Sequence, residues 1–197
     1  TVILTVKTRP AITGGPTSAT ICMGESYTFA VESTGSDLQY QWLKNGDTIP
    51  GATGLEYTLR NVTPADEANY TVIVSGYCPQ TAITSATLRV NTPPTISEDP
   101  ANKIVCAGED VVFSVEATGA NISYQWYRNN QPVTGATLHE LTLYNVITAD
   151  EGIYYVEVHG ICPVTPATSA TVVLTVNTAP NITNQPTSRP ACEGNST

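Results

Sequence analysis

Apolar and polar residues alternate along this chain in short runs. Tyr27, Phe29 and Val31 form one run, Leu55, Tyr57 and Leu59 another, Tyr70, Val72 and Val74 a third, and Ala86, Leu88 and Val90 a fourth. A period of two over so few residues predicts strands with one face buried. The breaks between runs carry turn chemistry: Gly24 with Glu25, the stretch Lys44, Asn45, Gly46, Asp47, and the segment from Asn61 to Asn69. Glycine and asparagine accept the positive φ that tight turns demand. Trp42, flanked by Tyr40 and Gln41, sits in the central run. No helical period is sustained, so the pattern predicts an all-β chain.

The pattern then repeats. Tyr124, Gln125 and Trp126 copy Tyr40, Gln41 and Trp42 at an offset of 84 residues. The same offset relates Cys22 to Cys106, Gly24 to Gly108, Phe29 to Phe113, Leu59 to Leu143, Asp66 to Asp150, Tyr70 to Tyr154 and Cys78 to Cys162. A period of this size, filled with short strands, signals tandem copies of one small β domain. The expected division is residues 1–8, the last strand of a preceding copy; 9–92, a whole copy; 93–178, a second; and 179–197, the start of a third. Thr1 to Thr8 matches Thr171 to Thr178, the closing strand of the second copy, and Ile182 and Cys192 restart the series begun by Ile12 and Cys22. The second copy holds two extra residues before its last strand. The chain reads as an excerpt from something longer.

Composition narrows the partners. Charged residues make up 13% of the 197 and the net charge is -9, so no basic stripe exists to displace counterions from nucleic acid. An acidic surface is equally unsuited to an anionic membrane and chiefly favours solubility. Five cysteines recur at set places: Cys22, Cys106 and Cys192 two residues before a glycine, Cys78 and Cys162 directly before a proline. Without Cys-x-x-Cys spacing or a histidine partner they point to disulfides in an oxidising compartment rather than zinc.

Short strands, frequent turns and a central tryptophan describe an antiparallel sandwich. Gly24 with Glu25, Phe29, Trp42 and the run Asp66, Glu67, Ala68, Asn69, Tyr70 resemble the immunoglobulin superfamily, intermediate-type set; the second copy has the fuller motif Asp150, Glu151, Gly152, Ile153, Tyr154. The resemblance implies tandem immunoglobulin-like antiparallel β-sandwiches, with Trp42 and Trp126 in the cores and Tyr70 and Tyr154 as the corner tyrosines of strand F. It departs from the family at the two inter-sheet cysteine positions, held here by Val31 and Val72, and by Val115 and Val156. Valines pack that gap by burial alone. The Cys-x-Gly opening, the Gly-Ala-Thr after the tryptophan strand and the Cys-Pro followed by Thr-Ser-Ala-Thr are similar to large adhesins of Bacteroidota exported by the type IX pathway.

The same resemblance locates the cysteines. In an immunoglobulin sandwich the turn bearing Cys22 and the F–G loop bearing Cys78 lie at opposite ends, roughly 35 Å apart at the usual strand rise. A disulfide needs Cα atoms within about 7 Å, so Cys22 and Cys78 are not expected to pair. Stacking head to tail instead sets Cys22 against Cys162 of the next copy. By that rule Cys78 pairs with an upstream repeat, and Cys106 and Cys192 with downstream ones. Unpaired cysteines, an intradomain pair, or bonds to a neighbouring chain remain open. The short proline-bearing linkers, Asn91 to Pro94 and Asn177 to Pro180, favour close stacking.

Chemistry is sparse. Asp66, Glu67, Asp150 and Glu151 belong to the turn before strand F, where aspartate bonds the local backbone. No nucleophile elbow, phosphate loop, HExxH or calcium loop occurs in the sequence. No cofactor and no metal is expected. Asn61, Asn69, Asn121, Asn181 and Asn195 open Asn-x-Ser/Thr sequons, which matter only in a eukaryotic source. The expectation is a non-enzymatic shaft of an extracellular, cell-surface adhesin. Its partners are neighbouring repeats, identical chains bundled into a fibre, and a cell-surface or glycan target at a distal tip. The alternatives are a binding module recognising a glycan or protein through its own loops, and an accessory region of a secreted enzyme.

Overall fold

The computed structural model describes residues 2–162 and 165–188; Cys192 and Thr1 lie outside the described residues. Two sandwiches follow one another. The first holds β1 (Ala11–Gly14), β2 (Ala19–Cys22), β3 (Tyr27–Ala30), β4 (Glu32–Thr34), β5 (Gln39–Lys44), β6 (Asp47–Thr48), β7 (Glu56–Leu59), β8 (Ala68–Ser75) and β9 (Ala82–Asn91). The second holds β10 (Thr95–Glu98), β11 (Lys103–Cys106), β12 (Val111–Ser114), β13 (Glu116–Thr118), β14 (Ser123–Arg128), β15 (Gln131–Pro132), β16 (Glu140–Leu143), β17 (Gly152–His159), β18 (Ala167–Thr168) and β19 (Val172–Asn177).

In the first sandwich one layer runs β2-β9-β8-β5-β6, and the opposite layer is built from β1 on β4 and β3 on β7. The second repeats this with β11-β19-β17-β14-β15 against β10 on β13 and β12 on β16. All pairings are antiparallel except β2 with β9 and β11 with β19, which are parallel. The parallel pair arises because the opening segment leaves one layer after β1 and runs beside the closing strand of the other.

Each core is the apolar face of that alternation. Phe29, Trp42, Tyr70, Val72, Val74 and Leu88 are fully buried, as are Phe113, Trp126, Val156 and Val158. Tryptophan contributes a large buried area only if its indole N–H finds a partner. Here Trp42 donates to the carbonyl of Gly54 at 3.0 Å and Trp126 to that of Leu138 at 2.9 Å. Phe29 stacks on Tyr70 and Phe113 on Tyr154. Val31, Val72, Val115 and Val156 are buried at the positions where an inter-sheet bond would lie. Leu55 differs from its alternation: it is 52% exposed, because β7 starts one residue later and the Leu55 carbonyl accepts the Val31 N–H.

The turn before β8 is ordered by its aspartate. A short 3-10 turn spans Pro64–Asp66, and the Asp66 carboxylate accepts the Thr63 N–H at 2.9 Å. That backbone bond holds the Asp66 carboxyl below the usual carboxylate range, with the Thr63 hydroxyl and Lys44 acting in the same sense. The Tyr70 hydroxyl donates to the Asp66 carbonyl at 3.0 Å, and Tyr154 to that of Asp150 at 2.7 Å. Burial, then the Asp66 carboxylate and Tyr57, push the Tyr70 phenol up to about 12. Against the first copy the register of the closing segment shifts by one residue before β18 and by a second between β18 and β19, where the Ser169 hydroxyl accepts the Val156 N–H at 3.0 Å.

Candidate functional site at the junction of the sandwiches

The sandwiches meet at a junction built largely from backbone. Cys22 ends β2, in register with Asn91 at the foot of β9. Its N–H donates to the Glu25 carboxylate at 2.8 Å, and the Met23 N–H donates to the Asn91 carbonyl at 2.9 Å. Cys22 is thus held at the trailing end of the first sandwich. Across the linker, Ala120 donates to the Thr92 carbonyl at 3.0 Å and Ile161 to the Ala120 carbonyl at 3.2 Å. These bonds bring the loop after β17 to the leading end of the second sandwich. Gly119 has φ +148°, and a Cβ there would lie 2.8 Å from the Pro94 Cα, so only glycine lets this loop close on the linker.

Cys162 follows Ile161 and is buried. Its sulfur is bonded to that of Cys22, with Cα atoms 5.8 Å apart across a sequence separation of 140. One disulfide therefore joins the two sandwiches over a linker that carries two consecutive prolines, Pro93 and Pro94.

The same construction recurs at the leading end of the first sandwich. Ser36 donates to the Thr8 carbonyl at 3.1 Å and Tyr77 to the Ser36 carbonyl at 2.9 Å. Cys78 lies 3.7 Å from the Lys7 carbonyl, and Lys7 pairs with Asp37 at 2.8 Å while sitting over the Tyr77 ring. At the trailing end of the second sandwich Cys106 is in register with Asn177, and its N–H donates to Glu109 at 2.7 Å. Among the described residues Cys78 and Cys106 have no disulfide partner. Tyr77 and Ile161, at matching places in the two loops, are 68% and 58% exposed.

Elsewhere several charged groups have partners within their own sandwich. Arg128 faces Asp150 at 3.5 Å and donates to the Ala149 carbonyl. Asp99 accepts the Ala170 N–H at 2.8 Å. Among the described residues no cluster of three or more His, Cys, Asp or Glu side chains could hold a metal ion. The outward face of the β14–β17 layer went unnoticed in the sequence. Tyr127 stacks on Tyr155, centroids 4.9 Å apart, and its hydroxyl lies 3.0 Å from Glu157. The first copy has Leu43, Thr71 and Ile73 at these places, so the offset comparison itself held the signal.

Residues 92–177 match the family described as "Ig-like domain CHU_C associated". The structure superimposes on the I-band fragment I67–I69 from titin with a TM-score of 0.71 at 24% identity, covering 86% of this chain and 66% of that one. The fold is immunoglobulin-like. Sidekick-1 immunoglobulin domains 1–4 give a TM-score of 0.67 at 20% identity, covering 87% of this chain and 49% of that chain. Among curated proteins, Roundabout homolog 1 of Mus musculus is 28% identical over 172 residues, which is 77% of this chain and 11% of that protein. The muscle M-line assembly protein unc-89 of Caenorhabditis elegans is 25% identical over 169 residues, covering 79% of this chain and 2% of its own length. The immunoglobulin-like chain thus spans about a tenth or less of these relatives.

Proposed function

We propose that this chain is a stretch of the shaft of an extracellular surface protein, in which immunoglobulin-like repeats stack head to tail with a disulfide at each junction. The observation that carries the reading is the Cys22–Cys162 bond between successive sandwiches. The likeness of the Thr8, Ser36, Tyr77 contacts to the Thr92, Ala120, Ile161 contacts supports extending it to further junctions. On this reading the copies run over residues 9–92 and 93–178. Residues 1–8 and 179–197 then belong to neighbouring repeats. Cys78 bonds to an upstream repeat, and Cys106 and Cys192 to downstream ones. A disulfide suits an oxidising, extracellular setting. The source among large Bacteroidota adhesins exported by the type IX pathway rests on the sequence motifs alone, as do lateral bundling into a fibre and a binding tip.

The test is a non-reducing peptide map of native surface-shed protein, with immunogold labelling of intact cells. Cys22 joined to Cys162, a Cys78 peptide joined to an upstream repeat, and label on filaments outside the cell are the expected results. Cysteines bonded between separate chains, or label confined to the cytoplasm, would overturn it. A second reading, a binding module, is favoured by the Tyr127, Tyr155 and Glu157 face, which only the second copy carries. Binding of a glycan or protein that is lost in Tyr155→Thr, with folding kept, would distinguish it.

A further inference from the structure

We infer that the Cys22–Cys162 bond makes this chain load-shielding: tension applied along it bypasses the part of both sandwiches enclosed between Cys22 and Cys162. The bond spans a sequence separation of 140, so everything between Cys22 and Cys162 forms a closed covalent loop. That loop holds most of both sandwiches, from β3 of the first through β17 of the second. A force drawing the two chain ends apart runs along the segment before Cys22, crosses the sulfurs, and leaves along the segment after Cys162. Even with both sandwiches unfolded, the looped residues add nothing to the end-to-end length. The extensible path falls to 58 of 197 residues, roughly 200 Å at full extension instead of roughly 690 Å.

Resting on the shaft reading, the same bond at every junction produces a continuous tether. The backbone from Cys78 to Cys106 is 28 residues long. It starts at the leading end of the first sandwich, descends β9, crosses the linker and descends β10 and β11 to the trailing end of the second. Those strands, of ten, four and four residues, are already extended. Fully drawn out, 28 residues reach about 98 Å. Two stacked sandwiches, each about the length of a ten-residue strand with its end loops, occupy about 80 Å. The tether is therefore nearly taut in the folded rod. Tethers from alternate junctions overlap, so two of them cross every repeat. A surface rod of this build transmits tension to its tip without lengthening, and its sandwiches stay folded under loads that would unravel an unclamped array.

The experiment is single-molecule stretching of the 197-residue chain, held by peptide tags at its two ends, oxidised and then in reductant. Oxidised molecules should yield no domain-sized step and reach their limit near 200 Å. Reduced molecules and the Cys22→Ser variant should show two steps of roughly 250–300 Å each and extend about threefold further. Two domain-sized steps from the oxidised chain, or their absence from Cys22→Ser, would overturn the inference. Stretching the native full-length rod tests the tether: oxidised, it should lengthen by no more than about a quarter before rupture, and reduced, about sixfold. An oxidised rod that unravels repeat by repeat would refute the continuous tether. Failure of the surface localisation would remove the shaft reading while leaving the single-chain curve as it stands.

Discussion

Breaking the Cys22–Cys162 bond should destabilise both sandwiches, and by similar amounts. Cys22 is in register with Asn91, and Cys162 lies beside Ile161, which reaches Thr92 through Ala120. Both sulfurs are thus anchored close to the linker. If the first sandwich unfolds while the second stays folded, the bond closes a loop from Cys22 to about Thr92. If the second unfolds, the loop runs from about Thr92 to Cys162. Each is about 70 residues, for which the loss of loop-closure entropy in the unfolded chain stabilises the folded state by about 4 kcal/mol. That is a large share of the 5–15 kcal/mol, roughly, that holds small domains folded. The assay is urea denaturation followed by fluorescence, since Trp42 and Trp126 are both buried and each copy carries one. The reduced protein should unfold at a midpoint lower by a few molar, given a slope of about 1 kcal/mol per molar for units of this size. Cys22→Ser should match the reduced protein, and adding Cys162→Ser should cost only the packing of that buried side chain. A loss below about 1 kcal/mol, or one confined to a single sandwich, would refute the reasoning.

Three further outcomes follow from the local chemistry. Tyr70→Phe and Tyr154→Phe each delete the hydroxyl bond to the turn carbonyl, and each should lower stability by about 1 kcal/mol in thermal melts. With the Tyr70 phenol raised to about 12, the stability it contributes is full below its unfolded value near 10 and lost as pH rises through the folded value; phenolate absorbance should show late-titrating tyrosines that include Tyr70, since Tyr57, Tyr127 and Tyr154 are raised as well, and unfolding should set in between those limits. The Asp66 carboxyl, depressed chiefly by the Thr63 N–H, stabilises above its unfolded value of about 3.9 and loses that as pH falls through its lower folded value; Asp66→Asn should be less stable at neutral pH, with the gap closing in acid denaturation below about pH 4.

The layers of the fold were legible because burial enforces them residue by residue. Phe29, Trp42, Tyr70 and Val72 mark an alternation that fails if any strand slips by one position. The 84-residue offset then located the strands of Phe29, Trp42, Tyr57 and Tyr70 a second time in the next copy. Leu55 misled because a single apolar residue at a strand start has the right period whether or not the strand has begun. The parallel run of β2 beside β9 left no trace in the pattern, since a switch of layers changes partners without changing alternation. The Tyr127 and Tyr155 face was missed for a related reason: outward residues of a sheet are free to vary, so nothing in the core pattern calls attention to them. The Cys22–Cys162 contact lay within reach only through the expected sandwich, because its partners are far apart in sequence and no periodicity links them.

The position of the bond follows from where burial is strong and where it is weak. Within each sandwich the sheets are held by Phe29, Trp42, Tyr70 and the paired valines, or by Phe113, Trp126, Tyr154 and theirs, all buried. A disulfide between Val31 and Val72 would bind surfaces that apolar contact already binds. Among the described residues the junction has no such core. Its contacts are a few backbone hydrogen bonds around Thr92 and Ala120, while Ile161 stays largely exposed. Contacts of that kind leave successive domains free to swing. Two prolines stiffen the linker but cannot fix both sides of the junction, since they act along one line of chain. A covalent bond set off from the linker supplies the second point of attachment.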